Sequence, residues 1–331
     1  MELPDSRFAL VAIGLLIGLG LTQLPWVQLP QRLAAYRIAL RAPSIAEPRS
    51  PADLSLWAHE WLLSAEEAAQ IIKDTNAVIL DPRTMASSRL SQAVPIAWSA
   101  FTPNTTNRRG LLLKDDQLLA RKLEALGVSS DRPVLVAGDP KAWGEDGRIV
   151  WMLRSLGHPA TAMVDGGYPA LAAALASQAV QPVAPVPGTF VVQRNTTWSI
   201  SRDRLRTELG QPDVVVIDSR TAAEYAGETP YGERRGGHVP GARHLHFESL
   251  MDSTGRLLPE PALLDQLSRA GITADKTIIV YCTGGVRSAW LTVVLTELGF
   301  TAKNYAGSMW EWSASTPEQY PLVRLASDEV P

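Results

Sequence analysis

Short apolar runs without a polar break recur along the chain at residues 77–80, 134–137, 214–217 and 278–281. Runs of this kind, rich in β-branched residues, read as strands buried on both faces, as in a parallel sheet. Apolar residues at helical spacing follow the last run, at Val286, Ala289, Trp290, Val293, Val294 and Leu298, and Gly299 supplies the stop. Strands alternating with helices predict an α/β fold in which open, largely parallel sheets carry helices on both faces.

The pattern occurs twice. At one constant offset Trp61 meets Trp198, Ser64 meets Ser201, Asp81 meets Asp218, Arg83 meets Arg220 and Thr84 meets Thr221. In each copy a capping serine opens a helical segment, and an apolar strand then ends in Asp-x-Arg-Thr. At a slightly longer offset Val134-Leu135-Val136-Ala137-Gly138 matches Ile278-Ile279-Val280-Tyr281-Cys282, so Gly138 occupies the place of the cysteine. Asp165-Gly166-Gly167-Tyr168 likewise parallels Ala306-Gly307-Ser308-Met309. The expected organisation is a hydrophobic segment over 1–27, a proline-bearing linker over 28–56, a first α/β domain over 57–180, a proline-spaced extended linker over 181–190 and a second domain over 191–325. The second linker is expected to let the domains pack together as separate folding units.

Residues 8–21 carry no charge, and 22–26 extend them to about the length that crosses a bilayer. Glu2 and Asp5 beside Arg7 make a poor signal-peptide start, so an uncleaved anchor helix is expected. Arg32, Arg37 and Arg41 follow the span and only Arg7 precedes it, which places the body on the cytoplasmic side; export is the alternative.

With a formal net charge of -3 and basic residues scattered over 331 residues, nothing resembles a nucleic-acid surface. One cysteine excludes an intramolecular disulfide and a cysteine-cluster metal site, the histidines lack ligand spacing, and no nucleotide-binding glycine loop is present. Neither metal nor cofactor is expected.

That cysteine, Cys282, closes the last apolar run and is followed by Thr283, Gly284, Gly285, Val286 and Arg287, where a helix begins. A thiol there feels the unpaired amides of the helix start, and the glycines can turn successive N–H groups inward as a nest for a negative sulfur. Arg287 adds a fixed positive charge. Cys282 to Arg287 resembles the active-site loop of the rhodanese-like sulfurtransferases, a cysteine ending a strand, a ring of inward amides and then a helix. The related cell-cycle phosphatases hold one more residue between cysteine and arginine. The resemblance covers about 57–321 and is that of a tandem rhodanese with an inactive first domain, in which Asp139 to Asp146 replaces the loop.

The resemblance implies a sulfurtransferase working through a Cys282 persulfide. Thiosulfate or 3-mercaptopyruvate would be the small anionic donor, and a thiol, cyanide or a protein the acceptor. Thr283, Gly284, Gly285, Val286 and Arg287 would bind the donor, and Arg220 would either help or merely pair with Asp218. His238, in a Gly-His-x-Pro-Gly-Ala loop, would brace that loop, and Arg234 and Arg235 would face the mouth or sit on an exposed turn. The first domain is expected to act by packing alone. The rival reading is a membrane-associated sulfur carrier or binding module with little free turnover.

Overall fold

The computed structural model describes residues 59–83, 89–176 and 186–325. The expected anchor, its linker, Thr84 and the start of the linker between the copies lie outside the described residues. Among the described residues no helix is long and apolar enough to cross a membrane.

The first copy runs β1 (Leu62–Leu63), α1 (Ala65–Asp74), β2 (Val78–Asp81), β3 (Ala93–Pro95), α2 (Asp116–Glu124), β4 (Val134–Val136), α3 (Glu145–Ser155), β5 (Thr161–Val164) and α4 (Gly167–Ala176). The second runs α5 (Arg202–Glu208), β6 (Val214–Asp218), α6 (Ala222–Ala226), β7 (Arg243–His244), α7 (Glu260–Arg269), β8 (Thr277–Tyr281), α8 (Arg287–Glu297), β9 (Thr301–Asn304) and α9 (Ser308–Trp312). All strand pairs are parallel, in the orders β1-β5-β4-β2-β3 and β7-β6-β8-β9. A parallel bridge between Ser199 and Asn304 stands where β1 would be in the second copy, so the two topologies agree.

The capping serines do what their spacing predicts. Ser64 accepts from the Glu67 amide and Ser201 from the Arg204 amide, each satisfying an N–H that the first helical turn leaves open.

Within the apolar runs the side chains still alternate. Val78, Leu80, Val134, Val136, Val215, Ile217, Ile278 and Val280 point into one shared hydrophobic cluster, while Ile79 and Leu135 point into a second and Val216, Ile279 and Tyr281 into a third. The shared cluster lies between the sheets, where α3 crosses α8, and it draws on both copies. The copies therefore share one core on this side. Close approach requires glycine: a Cβ on Gly147 would lie 2.4 Å from the Trp290 Cα. Repeat-related Trp61 and Trp198 meet edge to face at 4.6 Å, as in an isologous joint. The end of the second linker is also packed down: Phe190 is buried against His158, and Ser129 donates to the Thr189 carbonyl.

Candidate active site

β8 ends at Tyr281 and α8 starts at Arg287, so Cys282 sits at the carboxyl edge of a central strand and at the amino end of a helix buried along nearly its whole length. Gly285 takes φ +77°, which only glycine adopts without strain, and its N–H reaches the Cys282 Sγ at 3.1 Å. The Ser288 hydroxyl lies 3.5 Å from the same sulfur and 2.7 Å from the Asn304 Oδ1. Burial pushes the Cys282 thiol up, but Arg287, the Ser288 hydroxyl and amide, and the Gly284 amide outweigh it and hold the thiol below its usual value. The thiol is thus poised to ionise in a nearly closed site, where it is 1% exposed.

The loop is anchored from below by α9. Met309 and Trp310 amides donate to the Cys282 and Thr283 carbonyls, and the Trp310 ring fills the space a Cβ on Gly284 would need. Ser308 holds φ +51°, a conformation most side chains avoid, and its hydroxyl accepts from the Cys282 amide at 3.1 Å while donating to the Tyr305 carbonyl. Its repeat partner Gly167 has φ +57°, so the turn survives in both copies.

Thr283 and Arg287, expected to bind the donor, are buried with their polar groups already engaged. Arg287 places Nη1 and Nη2 on the two carboxylate oxygens of Glu224, each at 2.7 Å, and Nη2 also donates to the Thr283 hydroxyl. That hydroxyl donates to Glu224 at 2.8 Å and lies 3.3 Å from Glu233. Burial raises the Glu224 carboxyl, yet its bonds from Arg287 and Thr283 hold it down at about 2. Arg287 therefore supplies field to the sulfur from within a neutralised pair, not as a free fork. Val286 caps the ring as the residue before α8.

Arg220 is placed differently from the expected donor ligand. It is wholly buried, with Nε and Nη2 on the Asp218 carboxylate at 2.9 and 2.6 Å and Nη2 on the Gly237 carbonyl at 2.8 Å. Arg83 grips Asp81 in the same way in the copy without a cysteine. The Asp-x-Arg pair is a strand-end clip in both copies. His238 braces its loop as expected: it stacks on Tyr225 at 3.8 Å and its Nδ1 meets the Tyr225 carbonyl at 3.0 Å. Arg235 is committed to the Trp312, Ser313, Ser315 and Tyr320 carbonyls, whereas Arg234 is exposed.

In the first copy a carboxylate occupies the equivalent position. A Cβ on Gly138 would lie 2.9 Å from the Asp146 Oδ2, so a cysteine there would require Asp146 to move. Burial pushes the Asp146 carboxyl up to about 7, partly offset by bonds from the Gly147 and Gly138 amides. Yet the first copy also reaches the working site. Trp143, from the segment that replaces the loop, meets Tyr231 edge to face at 5.2 Å, and its ring lies 5.0 Å from the Arg287 guanidinium carbon. Arg148 of α3 donates to the Gly285 carbonyl.

Residues 201–315 match the Rhodanese-like domain family. The thiosulfate sulfurtransferase of Pseudomonas aeruginosa is 35% identical over 194 residues, covering 57% of this chain and 71% of that protein. This chain belongs to the rhodanese family. It is a rhodanese-type sulfurtransferase. A probable 3-mercaptopyruvate sulfurtransferase of the same organism is 29% identical over 270 residues, covering 76% of this chain and 94% of that protein. The crystal structure of Tum1 protein from Saccharomyces cerevisiae superposes with a TM-score of 0.68 at 17% identity, covering 80% of this chain and 99% of that one, a likeness of fold.

Glu224, Glu233, Ser288, Asn304, Ser308 and Arg148 escaped the sequence reading. Glu224 carried a signal, since Thr221-x-x-Glu224 is a capping box and the box is formed, but that role hides the grip on Arg287.

Among the described residues no group of histidine, cysteine, aspartate and glutamate could hold a metal ion.

Proposed function

We propose that Cys282 is the nucleophile of a ping-pong sulfur transfer, with thiosulfate or 3-mercaptopyruvate as donor. The observation that carries this reading is the Gly285 N–H aimed at the Sγ at 3.1 Å in a loop that lowers the thiol's pKa. The thiolate attacks the outer sulfur of thiosulfate. A new S–S bond forms, the old one breaks, and sulfite leaves with the electron pair. An acceptor such as cyanide or a thiolate then attacks the outer sulfur of the persulfide and releases the Cys282 thiolate. The amides of Thr283, Gly284, Gly285 and Val286 stabilise the anionic persulfide and hold the donor's oxygens, and Arg287 adds its field through the pair with Glu224. An exposed Trp143 and Tyr231 flank the entrance. In this reading residues 8–26 anchor the protein in a membrane with the catalytic body on the cytoplasmic side; protease protection in sealed vesicles tests the side.

Steady-state thiocyanate formation with each donor tests the reaction. Continuous turnover with at least one of the two supports it. A single equivalent of thiocyanate followed by arrest indicates the carrier, and hydrolysis of an aryl phosphate indicates a phosphatase.

A further inference from the structure

One side chain of the first copy that bonds directly to the loop around Cys282 is Arg148. It is completely buried in the joint between the copies, with its guanidinium carbon 4.6 Å from the Trp151 ring and 5.7 Å from the Trp98 ring. Nη1 donates to the Gly285 carbonyl at 3.1 Å and Nη2 to the Gly110 carbonyl at 2.6 Å. Gly110 itself packs so tightly on the site that a Cβ there would lie 2.0 Å from the Ala306 carbonyl oxygen and 2.9 Å from that of Gly284. The Gly285 carbonyl takes a second bond from the Asn304 Nδ2 at 3.3 Å, and Asn304 in turn accepts from Ser288. Gly285 is also the residue whose N–H meets the sulfur.

An isolated buried guanidinium is costly unless it satisfies several acceptors, and no carboxylate pairs with this one among the described contacts. Its anionic neighbour is the Cys282 thiolate, which partly offsets the effect of burial on Arg148, itself pushed down to about 9. The fork therefore joins three things: the loop carrying Gly110, the ring around the sulfur, and the charge that forms on that sulfur. Because a peptide unit is planar, fixing the Gly285 carbonyl also fixes the Val286 N–H on the opposite side. That clamped peptide adjoins, across the Gly285 Cα, the peptide whose N–H meets Sγ, so the two donors on the carbonyl restrict the rotation of the positive-φ glycine beside the sulfur.

We infer that Arg148, supplied by the copy that lacks a nucleophile, is a positioning residue of the sulfur-transfer site: it clamps the Gly285 carbonyl, holds the amide ring on the Cys282 sulfur, and places a buried positive charge beside it. This rests on Cys282 being the nucleophile. It assigns the first copy a part in catalysis that packing alone does not describe.

The test uses Arg148→Lys and Arg148→Met in the full chain. Lysine keeps the charge but reaches one carbonyl where arginine reaches two; methionine keeps the apolar stem. The first readout is the ultraviolet absorbance of the thiolate against pH, taken as the difference from the same variant carrying Cys282→Ser so that tyrosine ionisation cancels and the one cysteine of the chain is reported. Charged and titratable groups on the elements packed around the loop include the Glu224–Arg287 and Asp218–Arg220 pairs, Glu233, His246, Glu311, Arg109 and Arg148, and the variants alter only the last. The second readout is single-turnover sulfur loading from thiosulfate. In Arg148→Met the thiolate forms at higher pH, and the loading rate at saturating donor falls roughly 10- to 100-fold. The half-saturating donor concentration stays within about twofold, because Arg148 touches the loop and not the donor. Arg148→Lys recovers to within roughly tenfold of wild type but not to parity. Lower stability alone would reduce the loaded fraction without changing the titration of the folded protein. Wild-type titration and loading in Arg148→Lys overturn the inference even if the methionine variant does not fold, and so does a folded Arg148→Met that behaves as wild type. A wild type that loads no sulfur on Cys282 overturns the nucleophile reading instead.

Discussion

Replacing Glu224 by glutamine separates what the buried Glu224–Arg287 pair does for the fold from what it does for the thiol. Both side chains are nearly inaccessible, at 2% and 3%, and glutamine keeps the volume while removing one charge. The Glu224 carboxyl falls from the 4.5 of a free side chain to about 2 in the folded protein. A drop of that size corresponds to about 3 kcal/mol of stability at neutral pH. It agrees with the roughly 3–5 kcal/mol expected when one partner of a buried pair is lost. Because the folded value lies below the unfolded one, the contribution is complete above the unfolded value and is lost as pH falls through about 2. The difference between wild type and Glu224→Gln in urea unfolding should therefore be about 3 kcal/mol at pH 7 and shrink to about half of that or less at pH 3. The thiol should respond the other way: with Arg287 no longer neutralised, the Cys282 thiolate of the less stable variant should form at lower pH. A variant within about 1 kcal/mol of wild type at pH 7, or one whose thiol titrates higher, would refute the reasoning.

Other substitutions probe the joint and the turn beneath the loop. Gly147→Ala forces a Cβ onto the Trp290 backbone and should cost about 1–3 kcal/mol in thermal unfolding; an unchanged Tm would mean the helices adjust freely. Ser308→Ala and Ser308→Gly both leave the buried Cys282 amide without its acceptor, but glycine alone relieves the left-handed strain, so Ser308→Ala should be less stable than Ser308→Gly by about 1–2 kcal/mol. Equal unfolding midpoints for the two would show that Ser308 is not strained.

The parts of this account that were readable in the sequence are those with local or repeated signals. The apolar runs became strands, the repeat became matching sheet orders, and Cys282, the glycine pair and Arg287 announced a thiolate loop because each local choice agreed with the next. Arg220 is ambiguous in the sequence because an aspartate two residues away makes either a clip or a donor site plausible, and the structure adds the formed clip and its Gly237 contact. Arg148 was illegible for a different reason. On its own helix it is one more arginine, and its role exists only because α3 crosses α8 closely enough to bring it to a carbonyl far along the chain. The shared core was hidden likewise: the proline-spaced linker suggested independence, whereas both sheets turn alternate side chains into one cluster.

The central claim is that the single cysteine carries the transferred sulfur, and weighing the intact protein tests it most directly. After exposure to excess thiosulfate or 3-mercaptopyruvate and removal of the donor, the protein should be heavier by one sulfur atom. The gain should map to Cys282 and disappear with cyanide, and Cys282→Ser should fold yet gain nothing. Turnover by Cys282→Ser, or a well-folded wild type that acquires no cyanide-labile sulfur from either donor, would contradict the account.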